Sequence, residues 1–263
     1  MRSAKKSTRK VLMALSGGVD SAVSLALLLE QGYQVEAAFM KNWSSQEGLK
    51  YDECPWLQDR HDALRVAAFF DVPMHTLNFE KQYEKHVLDY FFKEYQAGRT
   101  PNPDVMCNKE IKFKLLYNWA MKQGFDFLAT GHYAQVEHGS NPKLLRSKDN
   151  FKDQTYFIYN LAAKQLPHLL FPIGHLQKKQ VKALAKKLRL PNAAKKESMG
   201  LCFVGKIRLK DFLDQKLKPK SGEILDQSGK VLGRHQGLAY YTIGQRHGIN
   251  IGANGPWFVV KKI

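Results

Sequence analysis

The sequence predicts an α/β fold: a parallel sheet with helices on both faces, followed by a smaller β-containing module. Three observations carry that prediction. Short apolar stretches alternate with helical patterns of roughly 10–15 residues, the signature of βαβ units. The first apolar stretch breaks into SGGVDS, residues 16–21, before a helical pattern resumes. From about Lys206 the alternation stops and shorter, turn-rich runs replace it.

Taken in order, VLMAL (11–15) is the first strand, and the helix after it runs from about Val19 to Gln31. VEAAFM (35–40) is the second strand, a helix covers Trp56–Phe70, and HTLNF (75–79) is the third strand. Helices over Tyr83–Ala97 and Glu110–Lys122 precede DFLATGHY (126–133), the fourth strand and its exit. Beyond Lys206 a short helix leads into PKSGEILDQSGKVLGRHQG, where DQSGK between two alternating runs reads as a hairpin turn. The expected division is therefore 1–205 and 206–263, with no internal repeat.

Composition narrows the class. Hydrophobic residues at 44% and charged residues at 25% suit a globular protein, and no apolar run approaches the ~20 residues of a membrane span. Among 263 residues, 41 Lys and Arg face 24 Asp and Glu, a net charge of +17. Such an excess favours polyphosphate partners, nucleic acid first, with basic solubility or a ribosome-adjacent role as the plainer explanation. Cys54, Cys107 and Cys202 are widely spaced, with no CxxC and no paired His spacing. They argue against a disulfide scaffold or structural zinc site and for a reducing compartment. MRSAKKSTRK at the start holds five basic residues and no acid, consistent with an organelle-targeting remnant.

In a parallel sheet, ligands sit where a strand feeds a helix N-terminus, and Ser16–Ser21 occupies that place. Gly17 and Gly18 let backbone approach an anion, and the helix dipole favours phosphate. Ser16 and Ser21 add hydroxyls, while no Lys follows the glycines, so this is not the GxxxxGK[ST] loop. A bare SGG could serve only as a tight turn with Ser as cap. The full SGGVDS after a strand is more specific, and resembles the pyrophosphatase loop of enzymes that split ATP between its α- and β-phosphates.

AGRTPNPDVMCNKEIKF (97–113) holds two prolines that should keep it extended or turned, with Asp104 and Cys107 three apart and Lys109 and Lys112 just beyond. Nearby cations and a following helix N-terminus favour a thiolate at Cys107; the alternative is a small buried hydrophobe. KKESMGLCFVGK (195–206) places Cys202 in a second basic loop. Two reactive thiols in one fold suggest sulfur transfer, one carrying a persulfide sulfur and the other releasing the product by forming a disulfide. Cys54, in acidic Asp-Glu-Cys-Pro-Trp, reads as structural.

Together, SGGVDS, FMKNW (39–43), GRTPNPDVMCNKEIKF, ATGHY (129–133), KDQTYF (152–157), FPIG (171–174), KKESMGLCFVGK and YTIGQR (241–246) resemble the tRNA-specific 2-thiouridylases, from about Val11 to Val260. The wording KKESMG is similar to the mitochondrial, eukaryotic branch, which implies a mitochondrial protein, or a cytoplasmic one if bacterial. The resemblance implies a PP-loop domain of the adenine nucleotide α-hydrolase-like fold and a reaction in two steps. ATP, with magnesium, adenylates the C2 oxygen of the wobble uridine of a tRNA, and a cysteine persulfide then delivers sulfur. It implies ATP contacts from Ala14, Leu15, Ser16, Gly17, Gly18, Val19, Asp20, Ser21, Met40 and Gly131, with Asp20 near the magnesium and pyrophosphate. Asn102, Pro103 and Asp104 would meet the target base, Asp104 also as acid or base. His132, Lys152, Asp153 and Gln154 would touch tRNA, Cys107 would be the resolving nucleophile, and Cys202 the persulfide carrier loaded by a sulfur donor protein. Family members normally continue into a C-terminal β-barrel that grips tRNA, absent from this sequence.

Two rivals stand beside this reading. Another adenylating enzyme of the same loop class would not need both thiols, and a nonenzymatic RNA-binding protein would consume no ATP.

Overall fold

The computed structural model describes residues 8–44, 55–196, 209–214, 216–249, 251–252 and 255–263. Its centre is a five-stranded parallel sheet in the order β3-β2-β1-β4-β7. The strands are β1 (Lys10–Ala14), β2 (Gln34–Lys41), β3 (Met74–Asn78), β4 (Phe127–Thr130) and β7 (Leu169–Leu170), and a hairpin of β5 (Ala134–Glu137) and β6 (Lys143–Arg146) stands apart from the sheet. In β1, Val11 lies opposite Val35 on one side and Phe127 on the other.

Side chains alternate across a strand, so a sheet covered on both faces needs apolar residues at every position. Val11, Met13 and Leu15 enter one core, with Ala22, Leu25 and Leu28 of α1 (Val19–Glu30), Ala63 and Val66 of α2 (Pro55–Phe69), and Val181 and Ala185 of α7 (Lys178–Lys187). Leu12 and Ala14 enter the opposite core, with Phe113, Leu116 and Ala120. Each Val, Leu, Met or Phe among them contributes about 1.5–3 kcal/mol on burial, and each alanine methyl less.

The four predicted strands of this half form, with bounds shifted by a few residues, and so do the helices expected from Val19 and from Trp56. The region expected as the Tyr83–Ala97 helix is a run of α3 (Glu80–Tyr83), a π-helical segment (Glu84–Leu88) and α4 (Asp89–Gln96). One expectation fails: the segment with two prolines is not extended throughout. Helix begins at Pro103 with α5 (Pro103–Met106) and continues through a π segment (Cys107–Leu116) into α6 (Tyr117–Lys122). Proline is tolerated in the first helical turn, where its missing N–H has no intrahelical partner to lose. Cys107 is therefore a helical residue, not a loop residue.

The chain divides into two compact units, one of residues 1–84 and 104–199, the other of 85–103 and 200–263. In the second, Phe212 of α8 (Leu209–Asp214) packs on Phe91 and Phe92 of α4, with ring centroids 5.8 and 5.3 Å away. The expected hairpin is β8 (Gly222–Leu225) and β9 (Val231–His235). Its turn is organised by the Asp226 carboxylate, which accepts from the N–H groups of Ser228 and Lys230 at 2.8 and 3.0 Å. Gly229 supplies the positive φ of +87°. No helix of the described residues is long and apolar enough to cross a membrane.

Candidate active site

At β1 the connections diverge, since its neighbours β2 and β4 lie on opposite sides; that is where a doubly wound sheet opens a crevice at its carboxyl edge. Ala14 ends β1, and the Leu15 N–H still donates to Ala38 O at 2.9 Å, holding the loop beside β2 and Met40. Gly17 adopts φ +79°, and a Cβ there would lie 2.2 Å from Asp59 O, so a side chain is excluded twice over. Ser21 Oγ donates to Gly18 O at 2.9 Å and lies 3.2 Å from Ser16 Oγ, closing the loop on itself. Gly18 is the N-cap of α1 and has no side chain to occupy the first turn, which leaves that helix end to an anion. Gly131, just past β4, fits only as glycine: a Cβ would lie 2.8 Å from Ser21 N.

The centre of charge is Asp20, in the first turn of α1. Its carboxylate accepts from Lys178 Nζ at 2.7 and 2.8 Å and from the Tyr133 hydroxyl at 3.0 Å. Lys178 is buried, and its backbone N–H donates to Asp149 Oδ2 at 2.8 Å. That hydrogen bond, with those from the Phe151 and Lys152 N–H groups, holds the Asp149 carboxyl below its usual range. The FPIG motif delivers Lys178: Gly174 packs so tightly on β5 that a Cβ would overlap Ala134 O, and α7 starts four residues later. No Lys follows the glycines in the chain; the fold brings one to Asp20 from 158 residues away.

A second brace reaches the loop from the segment after α7. Asn192 Nδ2 donates to Gly17 O at 2.9 Å. Lys195 Nζ bridges Asp59 and Asp62 of α2 at 2.7 and 2.6 Å. Although burial opposes its charge, these two carboxylates raise the Lys195 pKa. Neither role had a local sequence signal beyond the presence of Lys195 in KKESMG.

The remaining predicted residues divide. Cys107 is buried and not disulfide-bonded, at the start of the π segment; Asn102 and Asp104 are half-buried. The neighbouring Asn108 donates from Nδ2 to Phe157 O at 2.9 Å. In KDQ, Lys152 is exposed, whereas the other two side chains are engaged within the protein, Asp153 in its own turn and Gln154 across to Tyr133. Asp153 accepts from the Ser147 N–H and Thr155 Oγ1, both at 2.8 Å, and Gln154 Oε1 accepts from the Tyr133 N–H at 2.9 Å. His132 is buried against Phe113 and Phe171, its Nδ1 2.7 Å from Thr130 Oγ1. Cys54 and Cys202 lie outside the described residues. Among the described residues no cluster of metal ligands occurs.

A glycine loop between a buried strand and an uncapped helix end, at the switch point of a parallel sheet, with an acid and an ammonium meeting beside it, defines a nucleotide-binding α/β domain of the PP-loop class. Comparison with known proteins takes this further. The tRNA methyl transferase HUP domain family matches residues 9–206, and the tRNA methyl transferase PRC-barrel domain family matches residues 210–263. A tRNA-specific 2-thiouridylase of Bacillus velezensis is 50% identical over 96% of this chain and 68% of its own. One from Listeria monocytogenes is 50% identical over 99% of this chain and 70% of its own. Among solved structures, a 4-thiouridine synthetase–RNA complex with bound ATP is similar at TM-score 0.46 and 17% identity, over 79% of this chain and 50% of that one. The chain belongs to the tRNA-specific 2-thiouridylase family.

Proposed function

We propose that this protein is an ATP-dependent tRNA uridine 2-sulfurtransferase, replacing the C2 oxygen of the wobble uridine with sulfur. One observation carries the reading: the glycine loop and the Asp20–Lys178 pair meet at the switch point of a chain half identical to 2-thiouridylases over nearly its whole length. The relatives' name and the family description differ in the group transferred; a loop suited to a leaving pyrophosphate favours sulfur, because an amide-like oxygen must be activated before it can leave.

The residues fit a nucleotide. The end of α1 offers N–H groups and a positive dipole, and Gly17 and Gly131 keep the backbone close where a side chain would collide. ATP supplies the adenylyl group that turns the C2 oxygen into a leaving group. Ala14–Ser21, Met40 and Gly131 would hold it, Asp20 would hold the accompanying magnesium, and Lys178 would neutralise charge on the pyrophosphate. Asn102, Pro103 and Asp104 would receive the splayed-out base, with Asp104 moving the proton. His132 and Lys152–Gln154 would form the RNA side of the site, His132 and Gln154 from behind through Thr130 and Tyr133.

In the second step the outer sulfur of a Cys202 persulfide, loaded by a donor protein, bonds to C2 as the bond from C2 to the adenylated oxygen breaks. The Cys107 thiolate then attacks the Cys202 sulfur. A Cys107–Cys202 disulfide forms, the bond to the delivered sulfur breaks, and an external dithiol returns both cysteines. We place the reaction in the mitochondrion, or in the cytoplasm if the source is bacterial, as the relatives are.

The test is nucleoside mass spectrometry after incubation of tRNA with protein, ATP and a persulfide donor. Wild type should yield 2-thiouridine. Cys202→Ser should yield none yet keep tRNA-dependent pyrophosphate release, and Lys178→Met should lose both. Normal thiolation by Cys202→Ser would remove Cys202 from the mechanism, and pyrophosphate release by wild type without 2-thiouridine would point to another adenylating reaction.

A further inference from the structure

The segment from Lys148 to Lys164 exposes aromatic rings where a folded chain would ordinarily bury them. Phe151 is 100% exposed, Tyr156 65% and Tyr159 63%. Tyr156 and Tyr159 lie side by side, centroids 6.4 Å apart and planes inclined by 46°. Isolated exposed apolar residues are ordinary, but neighbouring exposed rings invite a partner.

These rings stand on a rigid mount. Asp149 Oδ1 accepts from the Phe151 and Lys152 N–H groups, Asp153 from Ser147 and Thr155, and the Gln154 N–H donates to Tyr133 O at 2.9 Å. Ile158, between the two tyrosines, is buried. A fixed ring loses little entropy when a flat ligand settles on it.

The mount is joined to both chemistries of the site. Phe157 O accepts from Asn108, the residue after Cys107, and Tyr133, held by Gln154, reaches Asp20 with its hydroxyl. The local field is positive: Lys148, Lys152 and Lys164 are exposed, while the only acids of the segment, Asp149 and Asp153, face backbone N–H groups. Exposed aromatic faces interleaved with ammonium groups are the chemistry that takes unpaired nucleotides, bases on rings and phosphates on lysines.

We infer that Tyr156 and Tyr159 form a stacking surface for the unpaired nucleotides beside the modified uridine, with Lys152 and Lys164 holding the adjoining phosphates. This rests on the sulfurtransferase reading and adds the way the anticodon loop is kept open while its uridine is turned inward.

The experiment uses the full chain and an anticodon stem-loop RNA carrying 2-aminopurine next to the target uridine, read by fluorescence anisotropy and by quenching. Tyr156→Ala and Tyr159→Ala should each weaken binding about fivefold to a hundredfold and relieve quenching, with melting unchanged. Tyr156→Phe and Tyr159→Phe should keep both. Wild-type binding and quenching in both alanine variants would overturn the inference. So would intact RNA binding with loss only of sulfur loading, which would assign the rings to the donor protein. Failure of wild type to bind RNA would overturn the sulfurtransferase reading along with it.

Discussion

His132 shows how a buried residue can support the candidate site from behind. It sits 5.8 and 6.1 Å from the Phe113 and Phe171 rings, and burial, reinforced by the charge of Lys112, holds its pKa well below the usual histidine value. The folded protein keeps it neutral where the unfolded chain takes up a proton. Stability from this residue is therefore intact above an unfolded pKa of about 6.5 and declines as pH falls below it. Unfolding free energies from urea titrations between pH 7 and 5.5 should fall more steeply for wild type than for His132→Gln, the difference reaching about 1 kcal/mol. Equal slopes would mean that His132 titrates freely. ATGHY gave no hint of this, because burial of a histidine depends on rings 19 and 39 positions away in the chain.

At the level of elements, the segment after α7 acts as a strap across the phosphate loop and α2. Lys195→Met would leave the buried Asp62 and its neighbour Asp59 without their ammonium, at a cost of about 1–3 kcal/mol. The melting temperature should fall, and Lys195→Met combined with Asp62→Leu should recover part of it; no recovery would place the loss elsewhere than in the ion pair. Elements with a strong period were legible in the sequence: doubly buried strands such as VLMAL, the helix from Val19, and the DQSGK turn. The two residues of β7 were not, because pairing with β4 and not composition makes them a strand. The start of α5 is hidden in the sequence because a proline that breaks a helix and one that opens its first turn look alike there. In the site, Gly17 is readable from the loop pattern and Gly131 only through the family resemblance; the close approaches that force both emerge from the fold. Lys178, Asn192 and Lys195 are not readable, since only the closed fold says which distant polar residue meets the loop.

For the molecule as a whole, the excess of 17 positive charges is the term that acts before any contact forms. Affinity for tRNA should fall by about tenfold or more between roughly 50 and 200 mM salt, since each neutralised phosphate releases counterion. A flat response in a binding titration would show that shape and stacking alone hold the RNA. The Asp20–Lys178 ion pair has a meaning in time as well as in space. During synthesis, Asp20 leaves the ribosome 158 residues ahead of Lys178, and β7, the last strand of the sheet, precedes α7 in the chain. A growing chain thus carries the N-terminal end of α1 before it carries the ammonium that pairs with Asp20. The pair can form only once residues 20 to 178 have all been made, which ties the charge of the loop to the presence of every strand of the central sheet.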